Sequence, residues 1–140
     1  MVILDTNVVS ELMDAEPDVS VIKWLDTQAW TSLWTTSVTV MEVRYGLAIM
    51  PTGRRQTERQ AAFARLIEEK FERRVLAFDE TAAEEAASLM GARHRAGRPV
   101  DLRDTMIAGI ALAHRATLAT RNVRHFDDLS VSVVDPWHGR

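Results

Sequence analysis

The chain has 140 residues, enough for one domain with a real core, and its 46% hydrophobic and 26% charged content is ordinary for a globular protein. It has no cysteine, which excludes a disulfide framework and a thiolate metal site, and no apolar run approaches the roughly 20 residues that cross a bilayer. A net charge of −3, with fifteen arginines against two lysines, argues against tight sequence-independent DNA binding but leaves room for local arginine clusters beside an acidic site.

No basic stretch followed by an apolar one opens the chain, so no secretory signal is visible and a cytoplasmic protein is expected. Val2, Ile3 and Leu4 form an apolar triplet suited to a short buried strand. Asp5, Thr6 and Asn7 follow at once. Asp5 has two readings that this stretch leaves even: a helix cap, or a carboxylate facing the ligand crevice past the end of its strand. Thr6 or Asn7 can cap a helix through Val8, Val9, Leu12 and Met13, which Asp14 to Pro17 breaks. A second helix begins near Asp18 or Ser20 and runs to about Ala29, with Val19, Ile22, Trp24 and Leu25 on one side.

Residues 31–36, β-branched and aromatic, read as a strand. Ser37 or Thr39 opens a third helix carrying Val40, Val43, Leu47 and Met50, which Pro51 and Gly53 stop. Residues 54–72 read as one helix: Thr57 and Gln60 have capping-box spacing, and Phe63, Leu66, Ile67 and Phe71 form a buried stripe. Arg54, Arg55, Arg59, Arg65, Arg73 and Arg74 lie on or beside that helix among acids, and most of them read as a solvated face. Val75 to Phe78 is a strand, and Asp79 and Thr81 start a helix with Ala83, Ala86, Ala87, Met90 and His94 at helical spacings, ended by Gly97 and Pro99. Asp101 caps the next helix, whose Ile107, Ile110 and Leu112 suit a central position. A strand over 117–120, a helical turn over 122–128 and a strand over 131–134 complete the chain. The alternation β-α-α-β-α-α-β-α-α-β-α-β predicts an α/β fold, a mostly parallel sheet of about five strands with helices on both faces, in a single domain.

Glu42 and Asp104 are the acids placed to join Asp5. Each has an ordinary explanation: Glu42 completes a capping box with Thr39, and Asp104 lies in a helix's first turn, where the macrodipole favours an acid. Taken together they differ, because helix N-termini and strand C-termini collect along one edge of a doubly wound sheet. Three carboxylates meeting there repel unless a cation intervenes, and an all-oxygen set suits Mg²⁺ or Mn²⁺ rather than zinc.

Leu4-Asp5-Thr6-Asn7, Thr39 to Gly46, Asp101 to Ala108 and Ala119 to Phe126, in that order and spacing, resemble the PIN-domain ribonucleases, and in particular the VapC-type toxins of type II toxin–antitoxin pairs. The ending Val134-Asp135-Pro136-Trp137-His138 is similar to the FitB-like subgroup. The resemblance implies a PIN-like fold over residues 1–140 and a metal-dependent endoribonuclease. It implies Mg²⁺, with Mn²⁺ able to replace it, at Asp5, Glu42 and Asp104, Glu42 binding directly or through water. Thr6, Asn7 and Thr120 match the small polar residues that orient the acids and water. The family often has a fourth acid where this chain has Asn122 or His125; Asn122 offers an oxygen without charge, which weakens the case for a second metal. Asp127 is close in sequence but outside the motif.

A cation there would supply Lewis-acid chemistry and a more acidic water, steered by Glu42 and Asn122, and the family's products are a 5′-phosphate and a 3′-hydroxyl. Arg44, Arg121 and Arg124, beside these acids, are the candidates for RNA-phosphate or antitoxin contacts. The resemblance further implies a VapB-like antitoxin as cognate partner, a homodimer, and DNA contact only through the antitoxin. Trp24, Trp30, Trp34 and Trp137 are expected mostly in the core, with one or two as interface anchors. Two rivals stand beside this reading. One is a non-catalytic PIN module that binds a protein. The other is a phosphoacceptor receiver domain, which the absence of any lysine after Lys70 disfavours.

Overall fold

The structure, a computed structural model, describes residues 1–139. Strand β1 (Val2–Leu4) lies at the centre of a five-stranded sheet of order β3-β2-β1-β4-β5, with β2 (Leu33–Thr36) on one side and β4 (Thr117–Ala119) on the other. β3 (Val75–Leu76) and β5 (Val133–Val134) form the edges, and every pairing is parallel. Parallel pairing requires helical crossovers. Helices α1 (Thr6–Leu12) and α2 (Val19–Asp26) join β1 to β2, while α3 (Ser37–Ala48) and α4 (Arg54–Arg65) join β2 to β3. Helices α5 (Glu80–Arg95) and α6 (Leu102–His114) then carry the chain back across to β4. Strand order therefore reverses at β1 and β4, and the crevice beyond their carboxyl ends is the topological switch point.

The side-chain period of two divides β1 between two cores. Leu4 packs with Val8, Val9, Val21, Leu47 and Phe63 on the α1–α4 face, whereas Ile3 packs with Ala82, Leu89, Ile107 and Ile110 on the α5–α6 face. The second face is held by a close crossing: a Cβ on Gly109 would lie 2.5 Å from the Ala82 carbonyl oxygen and 2.8 Å from the Ala86 methyl. Alanines and one glycine there let α6 come close to α5, with Ile107 and Ile110 fully buried beneath.

Several expected boundaries shift for local reasons. The helix predicted over 54–72 is α-helical only to Arg65 and widens into a π turn, Leu66–Lys70, after which Phe71 turns fully inward, edge-on to Trp30. Thr57 does not cap it, because its hydroxyl donates to the Gly53 carbonyl from inside the helix. α2 ends at Asp26, three residues early, where Thr27 donates its hydroxyl to the Trp24 carbonyl. β3 stops at Leu76, and the Phe78 amide donates to Ser37 Oγ instead of extending a ladder. Arg74 is not part of a solvated face: it is largely buried and donates to the carbonyls of Leu33, Trp30 and Lys70, tying β2 to the α4 end.

Candidate functional site

The edge of the sheet at the β1 and β4 ends carries a connected set of polar side chains. Asp5 leaves β1 with its amide still donating to the Ala119 carbonyl of β4, so the strand ladder fixes its position. Its side chain is buried. One oxygen accepts from the Thr6 amide at 2.8 Å and the other from the Thr120 hydroxyl, also at 2.8 Å. Asp5 is thus both the cap of α1 and a group on the crevice, so the two sequence readings are not alternatives.

Thr120, fully buried at the end of β4, also accepts from the Asn122 amide at 3.0 Å, which shapes the turn that follows. Asn7 links the same two strand ends. Its amide nitrogen lies 3.4 Å from both Asp5 Oδ2 and Thr120 Oγ1, and its carbonyl oxygen accepts from the Arg121 amide at 3.1 Å. The Asn122 side chain is exposed and forms no hydrogen bond within the described residues.

Glu42 sits one turn into α3 and is not the end of a capping box. The cap is Thr36, which accepts from the Thr39 amide at 3.1 Å. Because α3 begins at Ser37, Glu42 lies beyond the reach of the cap and turns toward α1, where Thr6 Oγ1 donates to it at 2.7 Å. Thr6 and Thr39 hydroxyls are 3.0 Å apart, and Arg103 of α6 stands 3.5 Å from the other Glu42 oxygen. Asp104 follows the cap Asp101, which accepts from the Asp104 amide at 3.0 Å. Its carboxylate pairs with His125 Nδ1 at 3.0 Å, so the position that lacks an acid supplies an imidazole partner instead.

The electrostatics of Asp5 report this assembly. Its carboxyl is pushed up to about 6, first by burial and then, against the Thr120 and Thr6 hydrogen bonds, by the negative charges of Asp104 and Glu42. Asp5, Asp104 and Glu42 share one electrostatic neighbourhood, with Arg103 paired to Glu42 at 3.5 Å. Among the described residues, no three acidic or histidine side chains stand close enough to enclose an ion as they are. The donor set is nevertheless all oxygen, and Mg²⁺ is commonly held by one or two carboxylates while keeping several waters. The set fits such an ion.

Two residues that sequence reasoning passed over brace this edge. Arg93 of α5 is buried and grips Asp128 with two parallel bonds, Nε to Oδ2 at 2.8 Å and Nη2 to Oδ1 at 2.9 Å. It also donates to the His125 carbonyl at 2.8 Å and to Thr105 Oγ1 at 3.2 Å. One guanidinium therefore fastens the 123–126 turn to both α5 and the start of α6. Nothing in the sequence marks Arg93 apart from the other arginines, and its partner lies 35 positions away. The cationic candidates separate. Arg44 stacks on Phe63 and Arg121 on Trp137, each 4.8 Å from the ring centre, whereas the exposed Arg124 guanidinium has no partner among the described residues.

Comparison with known proteins agrees on one family. The PIN domain matches residues 2–131. A VapC ribonuclease of Sinorhizobium fredii is 39% identical over 137 residues, covering 98% of each chain. Toxin FitB of Neisseria gonorrhoeae is 33% identical over 138 residues, covering 99% of each. The solved structure of FitAB bound to a DNA fragment superposes with a TM-score of 0.90 at 33% identity, over 99% of this chain and 96% of that one.

Proposed function

The chain belongs to the PIN-domain family, and from that membership we propose that it is a divalent-metal-dependent endoribonuclease, the toxic component of a type II toxin–antitoxin pair. The observation that carries the proposal is geometric: the β1–β4 ladder fixes Asp5 at the switch point, and the N-terminal halves of α3 and α6 bring the carboxylates of Glu42 and Asp104 to the same edge. Mg²⁺, or Mn²⁺ in its place, would offset these carboxylates and would supply Lewis-acid chemistry and a more acidic water.

The remaining work falls to the chain itself. Asp5, held by the β1–β4 ladder and by Thr120, and Asp104, held beside Asp101 and His125, are the carboxylates that would hold the cation. Glu42, oriented by the Thr6 hydroxyl, takes the proton of the attacking water, and the free side chain of Asn122 offers that water a hydrogen bond. Attack at phosphorus in line with the leaving 3′-oxygen breaks the P–O bond and leaves a 5′-phosphate and a 3′-hydroxyl. Arg124, unpaired beside Asp104, is the first arginine to meet the RNA.

Relatives and structural neighbours support the partners. Toxin FitB is a relative, and the FitAB neighbour is bound to DNA, so an antitoxin that carries the DNA contact is the partner we assign. An open groove of about 760 Å³ between the end of α1 and α4, with Leu12, Met13, Ala62 and Leu66 on its floor and charges of both signs on its rim, has the character of an amphipathic-helix seat. Met41, Tyr45 and Ile49 form an exposed apolar stripe along α3, which supports a homodimer. No helix among the described residues is long and apolar enough to cross a membrane.

The non-catalytic alternative draws on Asn122 and on the open spacing of the acids. One experiment decides. Purified protein with Mg²⁺ cuts single-stranded RNA, Asp104→Asn folds but does not, and calorimetry detects Mn²⁺ binding that the same substitution weakens. Cleavage by Asp104→Asn at the wild-type rate refutes the assignment, while Mn²⁺ binding without any cleavage favours the binding module.

A further inference from the structure

Beside Asp104, on the side away from Glu42, the surface opens into a recess of about 360 Å³ between the 97–101 loop and the 123–127 turn. Its walls are Arg98, Pro99, Arg124 and His125, with Asp101 and Asp127 at the rim and Arg93 beneath. We propose that this recess receives one unstacked base of the RNA strand, next to the phosphate cut at the neighbouring acids. The inference rests on the ribonuclease reading and adds to it a site of base selection.

Charge accounting distinguishes a base from a phosphate. Arg98 is spent on Asp127 at 2.7 Å and on the Arg124 carbonyl at 2.7 Å, and Arg93 is spent on Asp128. Of the three arginines lining the recess, only Arg124 has a guanidinium without a partner among the described residues, and a phosphate inside would confront the carboxylates of Asp101, Asp104 and Asp127. A neutral, flat heterocycle meets no such opposition. The faces it needs are present: the exposed His125 ring, steadied by its Nδ1 contact with Asp104, the Pro99 ring and the Arg124 plane. Single-stranded RNA is recognised in this manner, by bases stacked on aromatic rings and guanidinium planes.

The rim also discriminates. Asp101 and Asp127 each use one oxygen, on the Asp104 amide and on Arg98, and the second oxygen of each accepts no hydrogen bond within the described residues. Free acceptors favour a base with an exocyclic amino group, so adenine, guanine or cytosine over uracil. Because Arg93 holds the His125 carbonyl and the start of α6 together, the recess is formed before RNA arrives.

The test is to digest a randomised single-stranded RNA pool with the full chain and Mg²⁺ and to sequence the new ends. Wild type favours an amino-bearing base over uracil at one position adjoining the cut, by about tenfold, as expected for one base-edge hydrogen-bonding contact. Arg124→Ala and His125→Ala flatten that preference. His125→Phe, which stacks but cannot bond Asp104, keeps it whatever its rate. An independent readout is the fluorescence of 2-aminopurine placed singly along a short oligoribonucleotide without divalent cation: wild type alters it at one position, and Pro99→Trp, which fills the recess, abolishes the change. A wild-type enzyme with no preference, a preference unaltered in Arg124→Ala and His125→Ala, or a 2-aminopurine response unaltered by Pro99→Trp, overturns the recess while leaving the ribonuclease intact. Absence of any Mg²⁺-dependent cleavage overturns both.

Discussion

The Thr6 hydroxyl lies 2.7 Å from Glu42 Oε1, a bond that joins the turn after β1 to the third helix across 36 positions of sequence. Thr39, 3.0 Å from Thr6 Oγ1, is itself held by the Thr36 cap. Glu42 is therefore oriented by a short chain of hydroxyls that begins in β2 and ends at the crevice.

Removing that hydroxyl without changing the side chain's shape isolates its role. Thr6→Val lowers kcat for RNA cleavage by about tenfold, the worth of one hydrogen bond to a charged group, with KM little changed. Thr6→Ser retains most of the rate. Steady-state kinetics at saturating Mg²⁺ with circular dichroism as a folding control checks both, and an unchanged kcat in Thr6→Val removes Glu42 orientation from the mechanism.

Asp5 predicts a conflict between stability and activity. Its carboxyl is raised from 3.8 to about 6 in the fold, so between those values the folded chain keeps a proton that the unfolded chain has lost. Stability from this group is greatest below pH 3.8 and declines as pH rises toward 6, reaching a penalty of about 3 kcal/mol above it. Asp5→Asn is therefore more stable than wild type at pH 7.5 without metal, and the decline between pH 4 and 6 is flattened in its thermal melts. Mg²⁺ raises the Tm of wild type but not of the variant. Equal pH profiles for the two proteins contradict this account.

Arg93 and Asp128 work in the opposite direction. Asp128 is lowered, chiefly by the Arg93 hydrogen bonds and further by Arg98, so its contribution is present above the usual carboxylate range and is lost as pH falls through it. Arg93 is only 3% exposed, and breaking the pair strands a partly buried charge. Arg93→Met costs about 3 kcal/mol in urea denaturation, Arg93→Lys recovers little because it cannot make two parallel bonds, and Arg93→Met with Asp128→Leu recovers a large part. Loss of less than about 1 kcal/mol in Arg93→Met shows the clasp to be incidental.

The order of elements and the parallel sheet could be read directly, because three-residue apolar runs alternating with helical periodicity admit few other folds. Strand ends and helix starts also place Asp5 and Asp104 at one edge, and Asp101 is the cap it was expected to be. What the sequence hid were choices between equivalent local partners. Thr36 and Thr39 are both good caps and both fully buried; what decides between them is that Thr36 keeps the extended backbone of β2 while Thr39 already lies inside α3. Arg74 and Arg93 resemble their exposed neighbours, yet each is drawn inward by carbonyls or a carboxylate that a distant segment brings to it. Thr35 is fully buried on β2 and its hydroxyl finds no partner; nothing in the structure explains it.

The central place of β1 has a consequence for synthesis on the ribosome. β1 is made well before β4 yet ends up between β2 and β4, and Asp5 acquires its Ala119 and Thr120 partners only when residues more than a hundred positions later have emerged. Asp104 and His125 arrive in the same late segment. A nascent or truncated chain thus carries Asp5 and Glu42 without the crevice that unites them, and closure waits on the slowest, most non-local pairing in the fold. The interval between the synthesis of β1 and that of β4 is one in which a partner made alongside can be waiting.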